Sequence, residues 1–312
     1  MAVSQIDPNG LNVGQLGSRN ILINGSFTIS QRGNYTSATT IGNTHTYYLD
    51  RWKSRANTVS GTLTHSTGYP FTRSQTALLT ATSAGTGYMQ LDQLVETNFY
   101  QGQTVVLSAW IKSNNSNARI GCYTGTWSNP AIHSGNGSWE KLSVSFTVGT
   151  GYATPLVRLG ILSDGSWDVV SISSGDYIEV SEVQLEVGPA TPFEHRSYGE
   201  ELAACQRYYQ KYSGGSAIGL LNMGAMYSAT SAQFFQNLMV EMRSAPAVSS
   251  SNFGVSTMGG TISAASQVLI AAASGQFVRI IATIGTNFPI GSNVFPRVPS
   301  GATGFIAFDA EL

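Results

Sequence analysis

The periodicity of the apolar residues departs from that of strands in one short segment of this chain, and this segment divides the sequence into two regions of unlike composition. From Asn20 to Val187, apolar and polar residues alternate with the period of two that is typical of half-buried strands. Between Pro192 and Tyr212 the apolar residues recur every three or four positions, as on one side of a helix. Beyond Tyr212, Ala-rich and Gly-rich apolar runs return to strand-like lengths. The order of strands, one short helix and further strands constrains the fold more than any other feature.

The composition favours β-structure with many turns. The charged fraction is only 11%, less than half of the ~25% found in an ordinary soluble domain. The 34 glycines, with abundant Ser, Thr and Asn, favour turns and short strands over long helices. A chain of 312 residues is long for a single core, so two domains are expected. The sequence therefore predicts an all-β protein with two domains.

The larger predicted domain spans residues 20–196 and is a β-sandwich. Seven or eight short alternating segments lie there, separated by Gly, Asn and Ser loops. The first strand region is marked by Ile21, Ile23, Phe27 and Ile29. In YIEVSEVQLEV the interior positions are Ile178, Val180, Val183 and Leu185. A slip in that alternation at Ser181 and Glu182 predicts a β-bulge. In VVLSAWIKS, we assign Trp110 to the core.

A connecting helix is predicted for residues 197–212. Ser197 and Glu200 have the spacing of a capping box, and Gly214 and Gly215 follow the expected end. The apolar stripe of this helix contains Leu202, Cys205, Tyr208, Tyr209 and Tyr212. We assign four of these residues to the hinge between the two halves of the chain and to contact with a neighbouring subunit: Leu202, Tyr208, Tyr209 and Tyr212.

The region 213–312 is predicted to be a small oligomerising β-domain. Its charged residues are Glu241, Arg243, Arg279, Arg297, Asp309 and Glu311, and it contains no lysine. A domain so poor in charge, with exposed strand edges, would tend to associate. Burial against copies of itself resolves this tendency, most simply in a closed ring such as a trimer. The alternative is a monomeric sandwich with a surface coated by Ser and Thr.

Charge and cysteine content disfavour several classes of partner. The net charge is −1 and no basic cluster is visible, so nucleic acid is not expected as a partner. The start of the chain lacks a signal-peptide pattern and no apolar run approaches ~18 residues, so no membrane partner is expected either. Cys122 and Cys205 are expected to be free, packed thiols. Residues 1–19 are polar and Gly-rich, and form either a disordered leader or an arm that orders on another protein.

No pattern of catalytic residues stands out. A glycosidase needs a carboxylate pair and a nucleophilic hydrolase needs a nucleophile with a base, and the acidic residues here are scattered. The four histidines share no spacing with cysteines or carboxylates, which disfavours zinc. We therefore expect neither enzymatic activity nor a cofactor.

Several segments together resemble appendage proteins of tailed bacteriophages, a group that includes tail-fibre and head-fibre virion proteins. These segments are NILINGSF at 20–27, QRG at 31–33, DRW at 50–52, the run VQLEVGPATPFEHRSYGEELAACQRYYQKY at 183–212, MRSAPAV at 242–248 and the closing FIAFDAEL. The resemblance covers essentially the whole chain, and the run at 183–212 is its most specific part. It implies a jelly-roll sandwich similar to a carbohydrate-binding module. It also implies a structural subunit, assembled in the host cytoplasm, that joins other virion proteins through residues 1–19.

The resemblance further implies two kinds of ligand site. Similar jelly rolls hold a structural Ca²⁺, and Asn24, Ser26 and Glu186 stand in the corresponding places. Thr28 departs from the acidic residue that frequently follows the first motif. The alternative for Glu186 is an ion pair with Arg32 or Arg51.

Glycan binding in such modules uses exposed aromatic rings beside amide and carboxyl groups. The candidates are Trp127 with Tyr123 and His133, and Trp167 in SDGSWD. The alternative for both tryptophans is packing or subunit contact. Trp52 is expected to be a structural wedge, with Asp50 and Arg51 paired nearby.

Three functions remain open at this point. The favoured one is a homo-oligomeric structural subunit of a virion fibre that also contacts host surface glycans. The second is a dedicated glycan-binding module for receptor recognition. The third, with the poorest support, is a polysaccharide depolymerase.

Overall fold

The computed structural model describes residues 19–67, 73–96, 100–150, 154–162, 169–214, 221–257, 260, 262–298 and 304–311. The chain divides into two compact units, Met1–Glu201 and Leu202–Leu312. The described part of the chain contains one α-helix, α1, at Tyr198–Gln206. The boundary between the units therefore falls inside this helix.

The described residues of the first unit form thirteen strands. Their bounds are β1 Thr39–Ile41, β2 Thr46–Leu49, β3 Trp52–Asn57, β4 Gly61–Thr67, β5 Gln75–Ala81, β6 Gly85–Leu94, β7 Thr104–Ser113, β8 Ala118–Tyr123, β9 Ala131–Ile132, β10 Trp139–Thr147, β11 Leu156–Ile161, β12 Val170–Ile172 and β13 Tyr177–Val187.

These strands form the two antiparallel sheets of a β-sandwich. The first sheet has the order β1-β4-β5-β13-β7-β10, and the second has the order β2-β3-β6-β11-β8-β9 with β12 paired to β6. In chain order, the strands β7, β8, β10, β11 and β13 alternate between the sheets, as in a jelly roll. The predicted sandwich is confirmed.

Strand β7 shows how alternation builds the core. Its inward residues are Val105, Leu107, Ala109 and Ile111, and all are fully buried. Trp110 lies on the opposite side of the strand with Lys112 and is only half-buried. The assignment of Trp110 to the core is wrong, because the period of two places it on the outer face whatever the overall hydrophobicity of the strand.

The predicted bulge in β13 is confirmed. The pairing of β13 with β7 shifts register between Ser181 and Gln184, and Glu182 has a positive φ of 50°. The bulge keeps Ile178 and Val180 on the same inner face as Val183 and Leu185. It also brings the backbone of Val183 against Gly25, whose carbonyl accepts a 2.9 Å hydrogen bond from the Val183 amide. A Cβ atom at position 25 would overlap the Val183 carbonyl oxygen.

The segment NILINGSF is an irregular turn, so the strand region predicted at Ile21–Ile29 is wrong. Asn24 and Phe27 have positive φ values of 59° and 54°, which no strand permits. The Asn24 side chain holds this turn by donating to the carbonyls of Ile29 and Asp50, at 2.8 and 2.9 Å, and by accepting from the Ile29 amide at 3.0 Å. Local side-chain bonds to the backbone thus outcompete strand pairing.

The second specific segment, PFEHRSYGEE, clamps this turn. Glu194 accepts from the Asn20 amide at 2.9 Å, and Glu201 accepts from the Asn24 amide. Arg196 donates to the carbonyls of Asn20 and Leu22 and lies 3.3 Å from Glu201. Two segments about 174 residues apart are therefore joined by charge-assisted hydrogen bonds.

Helix α1 begins as predicted and ends early. Ser197 and Glu200 form the reciprocal capping box, with the Ser197 amide 2.9 Å from the Glu200 carboxylate. The helix ends at Gln206, and Tyr209–Gly214 forms strand β14, which pairs with the strand β22 at Gly304–Asp309. The predicted extension of the helix to Tyr212 is wrong, because β-favouring tyrosines at this point pair with a distant strand.

In the second unit, the part of the chain that the structure describes forms nine strands. Their bounds are β14 Tyr209–Gly214, β15 Gly224–Ser228, β16 Ser231–Asn237, β17 Ala247–Ser251, β18 Gly254–Ser256, β19 Ser263–Ala273, β20 Phe277–Ile284, β21 Asn293–Arg297 and β22 Gly304–Asp309. Six of them close into a barrel with the order β15-β16-β20-β19-β18-β21, and β14-β22-β17 form a separate three-stranded sheet.

The barrel changes the argument for association. Its interior is filled by alternate residues, among them Phe234, Val278, Ile280 and Val294. Closure leaves no free edge among these six strands, so within the barrel exposed edges are not the reason for the association that the sequence predicts. The outward residues of β16, β19 and β20 are nevertheless a mixture of apolar and uncharged polar side chains, and Arg279 is the only charge in these three strands.

Within the described residues, no helix has the length and apolar character needed to cross a membrane.

Candidate functional site

The two sheets of the sandwich carry opposite charge. The strands of the second sheet contain four basic residues, Lys53, Arg55, Arg119 and Arg158, and one acidic residue, Asp92. The strands of the first sheet contain two basic and four acidic residues. Alternation with the buried core residues puts the charged residues of the second sheet on its outer side. We call this side, with the loops against it, the basic face.

A buried ion pair forms the floor of the basic face. Asp92 and Arg158 are directly paired across β6 and β11, and both side chains are only 1% exposed. Arg158 donates from Nε and Nη2 to the two carboxylate oxygens of Asp92, at 2.8 and 2.9 Å. Gln90 adds a third donor at 2.8 Å. These three hydrogen bonds fix the Asp92 carboxylate and its donors in place, so this part of the surface is rigid.

His45 and Arg55 lie above this pair. The Arg55 Nη1 is 3.4 Å from His45 Nε2, and His45 Nδ1 is 3.6 Å from the Asp92 carboxylate. Arginine can only donate, so the proton of a neutral His45 lies on Nδ1 and faces Asp92. Burial lowers the pKa of His45; Asp92 opposes this effect, and nearby cations reinforce it. These cations are Lys53, Arg55 and Arg158.

Arg55 is held by neutral groups. Its Nε and Nη2 donate to the side-chain oxygen of Asn43, at 3.1 and 2.9 Å, and its guanidinium lies 5.3 Å from the centre of the Tyr88 ring. Tyr47 carries two more cations at its ring, Arg32 at 5.1 Å and Lys53 at 6.0 Å. Aromatic rings thus hold much of the positive charge in place.

The predicted aromatic pair borders the basic face. Tyr123 and Trp127 form an isolated β-bridge, and their ring centres are 5.3 Å apart. The Arg158 guanidinium lies 5.0 Å from the centre of the Trp127 ring. Both aromatic residues are half-buried. The structure therefore brings Tyr123 and Trp127 together and adds Arg158, which the sequence does not single out.

Backbone pairing fixes the loop that carries Trp127. Ser128 accepts from the Cys122 amide through its hydroxyl at 3.0 Å and donates its own amide to the Cys122 carbonyl at 2.8 Å. Ser128 and Pro130 lie against Gly121, where a side chain would reach ordinary contact distance with both. The small residue on β8 lets this loop fold down onto the sheet.

His133 does not belong to the aromatic group. It is 1% exposed, its Nδ1 accepts from the Gly135 amide at 2.8 Å, and its Nε2 lies 2.9 Å from the Ser138 carbonyl. Both ring nitrogens are used to shape the 134–138 turn, so the assignment of His133 to a glycan site is wrong. Trp167, the other predicted aromatic residue, lies outside the described residues.

The residues predicted for calcium are engaged in hydrogen bonds within the protein. The Asn24 amide shapes its own turn, and the Ser26 hydroxyl is 3.1 Å from that of Thr28. Glu186 accepts from the Thr191 amide and hydroxyl, at 2.8 and 2.6 Å, and from Gln184 at 2.7 Å. These contacts replace the expected pairing of Glu186 with Arg32 or Arg51. Within the described residues, no group of three or more His, Cys, Asp or Glu side chains is placed to hold a metal.

Other predicted residues have structural roles. Trp52 is fully buried, packs on Phe27 and donates to the Asn24 carbonyl at 2.9 Å, so the prediction of a structural wedge is confirmed. Cys122 and Cys205 are buried thiols with no disulfide, as expected.

Of the residues predicted for the hinge, Tyr208 and Tyr209 are buried in the single chain, and Tyr212 packs on Phe308 with ring centres 5.8 Å apart. Leu202 is half-buried. Because Tyr208 and Tyr209 are buried within their own chain, their side chains are not available to contact another copy.

No protein-family model matches the sequence. No curated protein matches it either.

Three solved structures illustrate the structural matches. The enzymatically active domain of bacteriophage CBA120 tailspike protein 4 is 13% identical, over 55% of this chain and 22% of that chain, with a TM-score of 0.35. The module TmCBM61, solved in complex with β-1,4-galactotriose, is 13% identical, over 55% of this chain and all of its own, with a TM-score of 0.33. The tandem CBM22 domains of Paenibacillus barcinonensis Xyn10C are 13% identical, over 90% of this chain and 99% of their own, with a TM-score of 0.31. At such scores the alignments carry no argument about function.

Proposed function

We propose that this protein is a carbohydrate-binding structural subunit of a phage particle appendage, in which the sandwich contacts glycan and the second unit assembles copies of the chain. The observation that carries the glycan part is the arrangement of the basic face. Trp127 and Tyr123 are half-buried there, and the partly accessible polar side chains of Asn43, His45 and Arg55 lie on the same face. Aromatic rings next to fixed polar donors and acceptors are the groups that stack on sugar rings and bond their hydroxyls.

Titration with an array of oligosaccharides tests the glycan part. Trp127→Ala should lower the affinity for a bound glycan at least about tenfold, since one stacked ring contributes on the order of 1 kcal/mol beyond its buried area. Trp110→Ala is the matched control, because Trp110 is also half-buried but lies on the outer side of the first sheet. Loss of binding in Trp110→Ala with binding retained in Trp127→Ala would place the site elsewhere and contradict the proposal.

In this proposal, the protein binds glycan and does not hydrolyse it. The acidic residue in the strands of the basic face is Asp92, and Arg158 and Gln90 occupy its carboxylate. A glycosidase instead needs two carboxyl groups ~5–9.5 Å apart, one of them protonated. Reducing-end assays on every glycan that binds should detect no cleavage, and new reducing ends produced by the purified full chain would overturn this part.

The assembly part rests on the outward side of the barrel. Phe235 and Leu269 are each about half exposed, at 47% and 48%. The Phe235 ring stacks on Phe277, with ring centres 6.2 Å apart and planes 9° apart. Ile281 is paired with Leu269 across β20 and β19. A surface with exposed Phe and Leu side chains, and with Arg279 as the only charge in the strands β16, β19 and β20, favours burial against another copy.

Light scattering of the full chain tests the assembly part. The expected mass is a multiple of the chain mass of 33.1 kDa, most simply a trimer. Leu269→Glu should reduce it to that of a single chain, whereas Ile132→Glu, an equally exposed apolar position in the sandwich, should not. A single-chain mass for the unchanged protein would contradict this part.

The particle part is supported by the sequence segments that resemble phage appendage proteins. It predicts that peptides of this chain occur in purified particles from cells that produce it. Mass spectrometry that finds the chain only in the particle-free fraction would contradict it.

A further inference from the structure

We infer that the basic face takes an acidic glycan, a sugar chain bearing carboxylate, sulfate or phosphate groups. This inference rests on the proposed glycan binding and names its ligand class. The chain as a whole has a net charge of −1. Its second sheet nevertheless carries four basic residues against one acidic residue in its strands, and its first sheet carries two against four. The positive charge is thus concentrated on one side of a protein that is nearly neutral overall.

Asp92 does not neutralise all of this positive charge. The Asp92 carboxylate is held by both of its oxygens on Arg158. Around His45 the described charged groups are this pair together with Lys53 and Arg55, which leaves a local excess of positive charge. Arg55 is oriented by the neutral side chain of Asn43 and by the ring of Tyr88.

The position of Arg55 fits recognition of an anion. It is half-buried beside Tyr88 and Asn43, where the local dielectric is lower than in bulk water and a charge-assisted bond is stronger. Asn43 and His45 take three of the five N–H groups of Arg55, and one N–H on each of Nη1 and Nη2 remains to donate to carboxylate, sulfate or phosphate oxygens. Trp127 lies at the other end of the same cluster, joined to it through Arg158, Asp92 and His45. If one sugar ring of the ligand stacks on Trp127, the neighbouring sugars of the same chain would place their acidic groups against the cations of this cluster.

The geometry also separates this ligand class from nucleic acid. Phosphate-backbone binding is carried by an extended series of Lys and Arg contacts. Here the positive charge surrounds a buried carboxylate and lies beside amide and aromatic groups, over the width of a few strands. This arrangement suits a short run of acidic sugars.

The test compares matched probes on the full chain. An array should include oligogalacturonate and its methyl-esterified form, sialylated, sulfated and phosphorylated oligosaccharides with their neutral counterparts, and an oligothymidylate. We expect the acidic member of at least one pair to bind at least about tenfold more tightly than its neutral counterpart, with affinity that falls as salt is raised. Arg55→Gln and Lys53→Gln should each weaken that binding roughly tenfold, the effect of losing one charge-assisted bond. Lys141→Gln, an exposed cation on the first sheet, should leave it unchanged.

The outcomes are distinguishable. Equal binding of neutral and acidic members, with loss in Trp127→Ala, keeps the proposed glycan function and overturns this inference. Acidic binding that is insensitive to Arg55→Gln and Lys53→Gln also overturns it. Tighter binding of oligothymidylate than of any glycan would replace it with nucleic-acid recognition. Absence of binding across the array would overturn both this inference and the proposed glycan function. Circular dichroism of each variant establishes that the fold is retained.

Discussion

The buried Asp92–Arg158 pair offers the sharpest test of the sandwich, through the substitution Asp92→Asn. The substitution keeps the shape of the side chain but removes its charge and turns one oxygen into a donor. Arg158, only 1% exposed, would then hold its charge against an amide. Breaking a buried ion pair on one side costs about 3–5 kcal/mol. With a typical urea dependence, this loss lowers the midpoint of unfolding by roughly 1–3 M.

Tryptophan fluorescence, followed during urea unfolding of the full chain, measures this loss of stability. All five tryptophans lie before residue 202, so their signal reports unfolding of the first unit alone. The matched control is Lys112→Gln, which removes an ion pair with Glu179. The nitrogen and oxygen atoms of this pair are 3.9 Å apart, and the Lys112 side chain is 35% exposed. Because exposed pairs contribute little, this control should lose less than about 1 kcal/mol.

Two results would refute the reasoning. A loss below about 1 kcal/mol in Asp92→Asn, equal to that of Lys112→Gln, would mean that the pair is not buried as the structure has it. In the double variant Asp92→Asn, Arg158→Met, both members of the pair lose their charge, and much of the stability should return. A double variant less stable than either single variant would show that the two residues do not act as one pair.

Three further predictions concern the same unit. The free energy of unfolding should fall as pH drops below about 6.5, the pKa of an unperturbed histidine, because burial lowers the pKa of His65 and the unfolded chain then binds its proton more readily. Urea titrations at pH 7.5 and 5.5 should show a smaller fall in His65→Gln; equal falls would contradict this. Gly25→Ala should cost about 1–3 kcal/mol through overlap with Val183, whereas Gly42→Ala, with open space around it, should cost almost nothing; equal losses would count against the turn. Burial raises the pKa of the Cys122 thiol, so a disulfide reagent should label it only after denaturation, and rapid labelling of the native chain would contradict its burial.

Local patterns in the sequence predict local structure well. The alternation in β13 places Ile178, Val180, Val183 and Leu185 inside and also reveals the bulge, because an extra residue in a strand shifts the period of two by one position. The capping box at Ser197 is equally visible, because both partners lie within one turn. Trp110 shows where hydrophobicity misleads. Its large ring suggests the core, but the alternation along the strand places it beside Lys112 on the outer face.

Long-range pairing is invisible to such patterns. Tyr208, Tyr209 and Tyr212 satisfy helical spacing, but the pairing of Tyr209 with Asp309, one hundred residues later, decides their conformation. The basic face is hidden for the same reason. Arg55 and Arg158 are separated by more than a hundred residues, and a near-neutral composition gives no sign that strand order collects the cations on one sheet.

The clamp between the turn at Asn20 and the carboxylates beyond Pro192 bears on how the chain is made. Asn20 and Asn24 leave the ribosome about 174 residues before their partners Glu194, Arg196 and Glu201. Contacts of such long sequence separation form late and slowly. The nascent sandwich must therefore wait, with its first turn unsecured, until synthesis has passed residue 201.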